Sequence, residues 1–136
     1  MTVIRHADCR RTETLNAVMT TLASPGQGGA GYAVWRVDMR PGQAGPPHAV
    51  DTEQVWTALA GGAAVALGGD TAMLAPGDTV IIPAGEPRQV RADPADGFAA
   101  IVVASPGTRA WALDSLGGDA GARVPGSGTV TPAWTV

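Results

Sequence analysis

Two histidines, one cysteine and no lysine leave this chain few side chains able to move a proton or attack a carbon. Without lysine there is no Schiff-base chemistry. Cys9 has only His6 near it as a base, three residues away in the opening segment, so a cysteine nucleophile is not expected. No G-x-S-x-G elbow is present, and a Ser–His–Asp triad would have to use His48. His48 is therefore the candidate for proton transfer near neutral pH. Arg88 presents a planar fork suited to a carboxylate, enolate or phosphate. Gln54 can donate and accept hydrogen bonds and so orient a carbonyl or hydroxyl. Trp56 can stack on a flat ring or on the arginine.

Those side chains must be placed by strands. The 136 residues suit one domain with one core, and 45% of them are hydrophobic. Only 15% are charged, and the 19 glycines and 11 prolines fall between β-rich runs rather than in low-complexity blocks. Such a pattern predicts a turn-rich all-β domain. Residues 32–40 alternate best, with Ala33, Trp35, Val37 and Met39 on one face and Tyr32, Val34, Arg36, Asp38 and Arg40 on the other. Further strands are expected near 48–50, 53–60, 63–67, 71–75, 79–82, 88–92 and 98–104, the spacing of an antiparallel barrel or sandwich. Thr2–Ala7 reads as a short first strand. Residues 12–23 are ambiguous, with 17–22 favouring strand, and 24–31 read as a loop. Residues 109–116 suggest a helical turn in an extension rich in Gly, Ser and Asp. Val130–Val136 reads as an edge strand interrupted by Pro132, one that would pair across a dimer.

Residues 42–61 read G-QAGPP-H-A-V-DTE-Q-VWTALA-G, and residues 77–92 read G-DTVII-P-A-G-EP-R-QVR-A. The spacings resemble the two motifs of the cupin superfamily, G-x5-H-x-H-x3-E-x6-G and G-x5-P-x-G-x2-H-x3-N. Gly42, Gly61, Gly77, Pro83 and Gly85, which shape the backbone, are all in place. The resemblance spans residues 30–104. It implies a cupin-like double-stranded β-helix, a jelly-roll barrel of two antiparallel sheets, within a single domain 1–136. Residues 1–23 and 105–136 would flank its core. The family is commonly dimeric, so a homodimer is expected.

Of the four usual metal ligands only His48 remains; Val50, Gln54 and Arg88 stand in the other places. Arginine cannot ligate and repels a cation. No cofactor is therefore expected, with one divalent transition metal at His48 as the weaker alternative. Alternation turns His48 and Val50, then Gln54, Trp56 and Ala58, then Arg88, Val90 and Ala92 toward the barrel interior. His48, Arg88 and Gln54 are the expected catalytic set, and Trp56, Arg36 and Tyr32 the expected ligand contacts. Each also has a purely structural role open to it. His48 could bridge backbone groups, Arg88 could pair with Glu86, Asp51 or Glu53, and Gln54 and Trp56 could fill the core. Trp35, Trp111 and Trp134 read as packing or dimer contacts.

The expected function is small-molecule binding with metal-independent acid/base chemistry of isomerase, cyclase or lyase type. The substrate would be a small metabolite bearing a carbonyl or carboxylate; polyketide cyclases and sugar epimerases are among the relatives the resemblance implies. A non-catalytic ligand sensor and a metalloenzyme of dioxygenase type are the alternatives. The net charge of −3 and the lack of a basic stripe argue against nucleic acid. Apolar runs fall far short of the ~20 residues of a membrane span. The start of the chain lacks the apolar stretch of a signal peptide, and a cytoplasmic location is expected.

Overall fold

The alternation along residues 32–40 becomes a strand whose inner face is sealed: Ala33, Trp35, Val37 and Met39 are all buried. In the computed structural model, which describes residues 1–116, 123–124 and 128–136, eleven strands follow one another with almost no helix. They are β1 Arg10–Glu13, β2 Val18–Ala23, β3 Ala33–Met39, β4 His48–Val50, β5 Gln54–Gly61, β6 Ala63–Leu67, β7 Asp70–Leu74, β8 Thr79–Ile82, β9 Arg88–Ala92, β10 Phe98–Ala104 and β11 Ala110–Ala112. Two sheets result. One runs β1-β2-β3-β10-β5-β8 and the other β11-β4-β9-β6-β7. Every strand pairing is antiparallel. The chain crosses repeatedly from one sheet to the other, which is the jelly-roll pattern. Trp35, Val37, Trp56 and Val102 from the first sheet and Val65, Val90 and Ala92 from the second form one buried cluster. Burying each large apolar side chain is worth about 1.5–3 kcal/mol.

Register follows the expected alternation. Gln54, Trp56 and Ala58 are buried along β5, and Arg88, Val90 and Ala92 along β9. Gln54 sits opposite Ile82, and His48 opposite Arg88.

Three sequence expectations are corrected. Thr2–Ala7 forms no strand. Ile4 lies against Gly28, and the edge of β2 is taken instead by Arg10–Glu13. Between β1 and β2 the Thr14 hydroxyl accepts from the backbone N–H groups of Asn16 and Ala17, which fixes a turn there. Residues 109–116 hold no helical turn, because Ala110–Ala112 pairs with the free edge of β4. The final segment is not a continuous edge strand. Val130 bridges to Ala110, then the chain turns through a short 3-10 helix at Ala133–Thr135. Its carbonyls are claimed by side chains: Thr21 donates to Trp134 at 2.8 Å, Ser24 donates to Val136 at 2.8 Å, and Arg10 donates to Ala133 and Val136. The tail is thereby bound to its own domain.

Candidate functional site

The two sheets splay around a cavity of about 820 Å³, within the size range of small-molecule sites. All four tryptophans line it: Trp35 from β3, Trp56 from β5, Trp111 from β11 and Trp134 from the tail. Met39, Val50 and Val90 add apolar wall. Among the described lining residues His48 is the single titratable side chain, with no arginine and no carboxylate beside it.

His48 opens β4 after Pro46–Pro47, and its Nδ1 lies 2.9 Å from the carbonyl of Pro46. A carbonyl oxygen can only accept, so Nδ1 carries the proton and Nε2 is the basic nitrogen of the neutral ring. His48 is half-buried and lines the cavity. That burial pushes the imidazole pKa down. The bond to Pro46 opposes the shift, and the charge of Arg88 adds to it. His48 is neutral at pH 7 and available as a base.

Gln54 begins β5 and is 5% exposed. Its Oε1 accepts from Trp56 Nε1 at 3.0 Å and from Arg88 Nη1 at 3.3 Å. Both neighbours are pure donors, so the amide can be oriented only one way. The oxygen faces the indole and the guanidinium. Among the described residues the NH2 group has no acceptor, yet these residues contain no buried side-chain polar atom without a partner. The amide hydrogens therefore reach accessible space, and Gln54 lines the cavity.

Arg88 is fully buried, yet it does not line the cavity. Its Nε donates to the carbonyl of Glu86 at 3.1 Å, its Nη2 to the carbonyl of Pro83 at 3.1 Å, and its Nη1 to Gln54. Burial lowers its pKa to about 10, with Glu86 pulling the other way, and it remains a cation at neutral pH. The expected anion clamp is thus corrected. The fork is occupied by carbonyl oxygens, and its bond toward Glu86 runs to the backbone.

Two further expectations fail for a simple reason of alternation. Tyr32 is 64% exposed, and Arg36 forms an ion pair with Asp38 at 3.0 Å on the outer face of β3. That pairing raises the Arg36 pKa. Neither residue lines the cavity. Trp56 does line it, as expected, while also donating to Gln54. Trp35, Trp111 and Trp134, read from sequence as packing or dimer contacts, are cavity walls. The alternation of residues 32–40 could have found Trp35. Nothing in the sequence ties Trp111 or Trp134 to the motifs, because both come from outside them. Among the described residues no group of three or more His, Cys, Asp or Glu side chains could hold a metal ion.

A family model for the cupin domain matches residues 35–104, just over half of the chain. This chain is a cupin. No curated protein matches it in sequence. Among solved structures, the polyketide cyclase RemF from Streptomyces resistomycificus superposes with a TM-score of 0.68 at 20% identity, covering 99% of this cupin and 89% of that chain. A cupin 2 domain-containing protein from Halorhodospira halophila matches with a TM-score of 0.63 at 22% identity, over 69% of this chain and 68% of that one. A cupin-superfamily sugar phosphate isomerase from Silicibacter pomeroyi matches with a TM-score of 0.59 at 19% identity, over 71% and 66%. At these identities the likeness is one of fold. Among the described residues no helix is long and apolar enough to cross a membrane.

Proposed function

We propose that this cupin binds a flat, uncharged, carbonyl-bearing molecule of polyketide type and catalyses a proton-transfer reaction on it, with ring closure as the favoured outcome. The observation that carries this reading is the cavity itself: four indole walls and, among the described residues, one ionisable group, a neutral imidazole whose basic nitrogen is Nε2. Indoles favour planar rings. The described lining residues include no cation, with Arg123 stacked 4.5 Å from the centre of the Trp111 ring, and a carbonyl substrate is preferred over a carboxylate. The match to a polyketide cyclase over 99% of the chain supports the same choice, since the other two neighbours span about 70% of it.

In this reading His48 Nε2 removes a proton from the carbon next to a carbonyl. Gln54 donates an amide hydrogen to the enolate oxygen that forms. The enolate carbon attacks a second carbonyl carbon of the same molecule, and His48 returns its proton to the new alkoxide oxygen. The reading is metal-free. The family's ligand positions hold His48, Val50, Gln54 and Arg88, and that set does not fit a divalent cation. The amide oxygen of Gln54 already accepts two hydrogen bonds, and the guanidinium repels a metal. The homodimer expected from the family belongs to the same proposal, and sedimentation of the purified protein tests it.

Exchange of the α-protons of β-tetralone in D2O, followed by NMR, tests the chemistry without knowledge of the natural substrate. The wild-type protein should speed exchange, and His48→Gln should lose about 100-fold of that rate while tryptophan quenching by the ketone is kept. Quenching without any exchange would instead mark a ligand carrier. Equal exchange by both proteins would remove His48 from the reaction.

A further inference from the structure

A buried cation that touches no carboxylate is costly, and Arg88 is one: fully buried, with all three of its hydrogen bonds to oxygens of neutral groups. It forms no ion pair; among the described residues Arg36–Asp38 is the one ion pair. Nor does it reach the cavity. Among the described residues its one side-chain hydrogen-bond partner is Gln54, and Gln54 does reach the cavity.

We propose that Arg88 is a positioning residue that acts through Gln54, and that its fixed positive charge stands in for the metal ion the cupin scaffold elsewhere carries. The proposal rests on the reading of Gln54 as the donor to a substrate oxygen. The guanidinium binds Gln54 Oε1 and draws electron density from the amide. The N–H groups on the cavity side become stronger donors, because hydrogen bonds in series polarise one another in a low-dielectric interior. Trp56 Nε1 on the same oxygen adds to the effect and blocks the flipped amide, which would aim nitrogen at two donors. The residue type makes sense on the same ground. A glutamate here would pair with Arg88 and offer the cavity no donor, whereas the amide transmits the charge and keeps two N–H groups for a developing oxyanion. The two anchors at the carbonyls of Pro83 and Glu86 hold the guanidinium in place. Both come from the turn that carries the second motif, so its Pro83 and Gly85 shape a cradle for a cation within the protein.

The test uses the isotope-labelled full-length protein in wild-type, Arg88→Met, Arg88→Lys and Gln54→Leu forms. The Gln54 amide pair is the one missing from the Gln54→Leu spectrum. In ligand-free Arg88→Met this pair should move upfield, with Arg88→Lys in between, while the indole resonances of Trp35, Trp111 and Trp134 stay in place. Affinities for β-acetonaphthone and for ethylnaphthalene, read by tryptophan quenching, should show the wild type preferring the ketone. Arg88→Met should cut that preference by about tenfold and leave the hydrocarbon's affinity unchanged. An unmoved Gln54 pair in folded Arg88→Met overturns the proposal, as does an equal loss of affinity for both compounds. If Arg88→Met does not fold, Gln54→Glu decides: it should abolish the ketone preference and keep hydrocarbon binding, and an intact preference overturns the relay. If the Gln54 pair moves as expected but the wild type binds neither compound, the relay stands and the proposed function falls.

Discussion

His48 owes its chemistry to two neighbours that a sequence does not place beside it in space. Pro46 is two positions away, but only the fold turns its carbonyl onto Nδ1, and only the sheet sets Arg88 opposite in register. Burial and the arginine's charge hold the ring neutral. The sign of the pH effect follows. The unfolded chain takes up this proton near the usual imidazole value of about 6.5, and the folded protein only at lower pH. Between those values the unfolded state holds more protons, so stability rises with pH there. The contribution is fully present above about 6.5 and is lost as pH falls through the window beneath it. Urea melts at about pH 7.5 and about pH 5.5 should show wild type losing more stability between the two than His48→Gln, which lacks the titrating ring. Equal losses would mean the ring is not shielded. At this scale the sequence picked His48, Gln54 and Trp56 correctly as residues facing inward. It assigned Arg88 the wrong duty, because two of the guanidinium's three partners are backbone carbonyls that no motif displays.

At the scale of elements, the turns were the most legible part of the chain, and glycine is the reason. Gly61 ends β5 at φ +66, and a Cβ there would meet the carbonyl oxygen of Gly97 at 2.0 Å. Gly97 leads into β10 at φ +69 and would in turn meet the carbonyl of Met39 at 2.7 Å. Two backbones cross closely at this end of the sandwich. Gly42 has φ +73 but open space around it. Both Gly42 and Gly61 are motif glycines, yet they serve different ends. Gly42→Ala should cost only the left-handed backbone penalty, about 1–2 kcal/mol. Gly61→Ala adds a backbone overlap and should cost about 3–5 kcal/mol. Chemical denaturation of the two variants checks the difference, and similar losses would show that the β5 and β10 ends can separate. Strands within the motif region fell where the alternation put them. The ends of the chain did not. Thr2–Ala7 and residues 109–116 have local patterns compatible with more than one state, and the choice was made by which sheet edge lay free.

On the scale of the whole molecule, the cavity is a joint product of the cupin core and the segments outside it. Residues 35–104 supply His48, Gln54, Trp35 and Trp56, while residues 14–17, Met19, β11 and the tail add further wall. Trp134 packs against the core from a tail tied down by Arg10, Thr21 and Ser24. Removing that indole should widen the cavity more than it weakens the fold. Trp134→Ala is expected to lower the affinity for β-acetonaphthone at least about tenfold and to leave the two sheets folded, as read by quenching and by circular dichroism. Unchanged affinity would exclude the tail from the site. The sequence by itself determined the jelly roll and the register of its inner faces, because strand alternation and turn glycines act through neighbours close along the chain. Only the tertiary structure decided that the cavity is walled by four indoles, that Arg88 lies behind Gln54 rather than in the site, and that the tail closes the wall. Each of these depends on segments tens of residues apart meeting in space, and such meetings are set by which edges and faces remain to be covered once the sheets have formed.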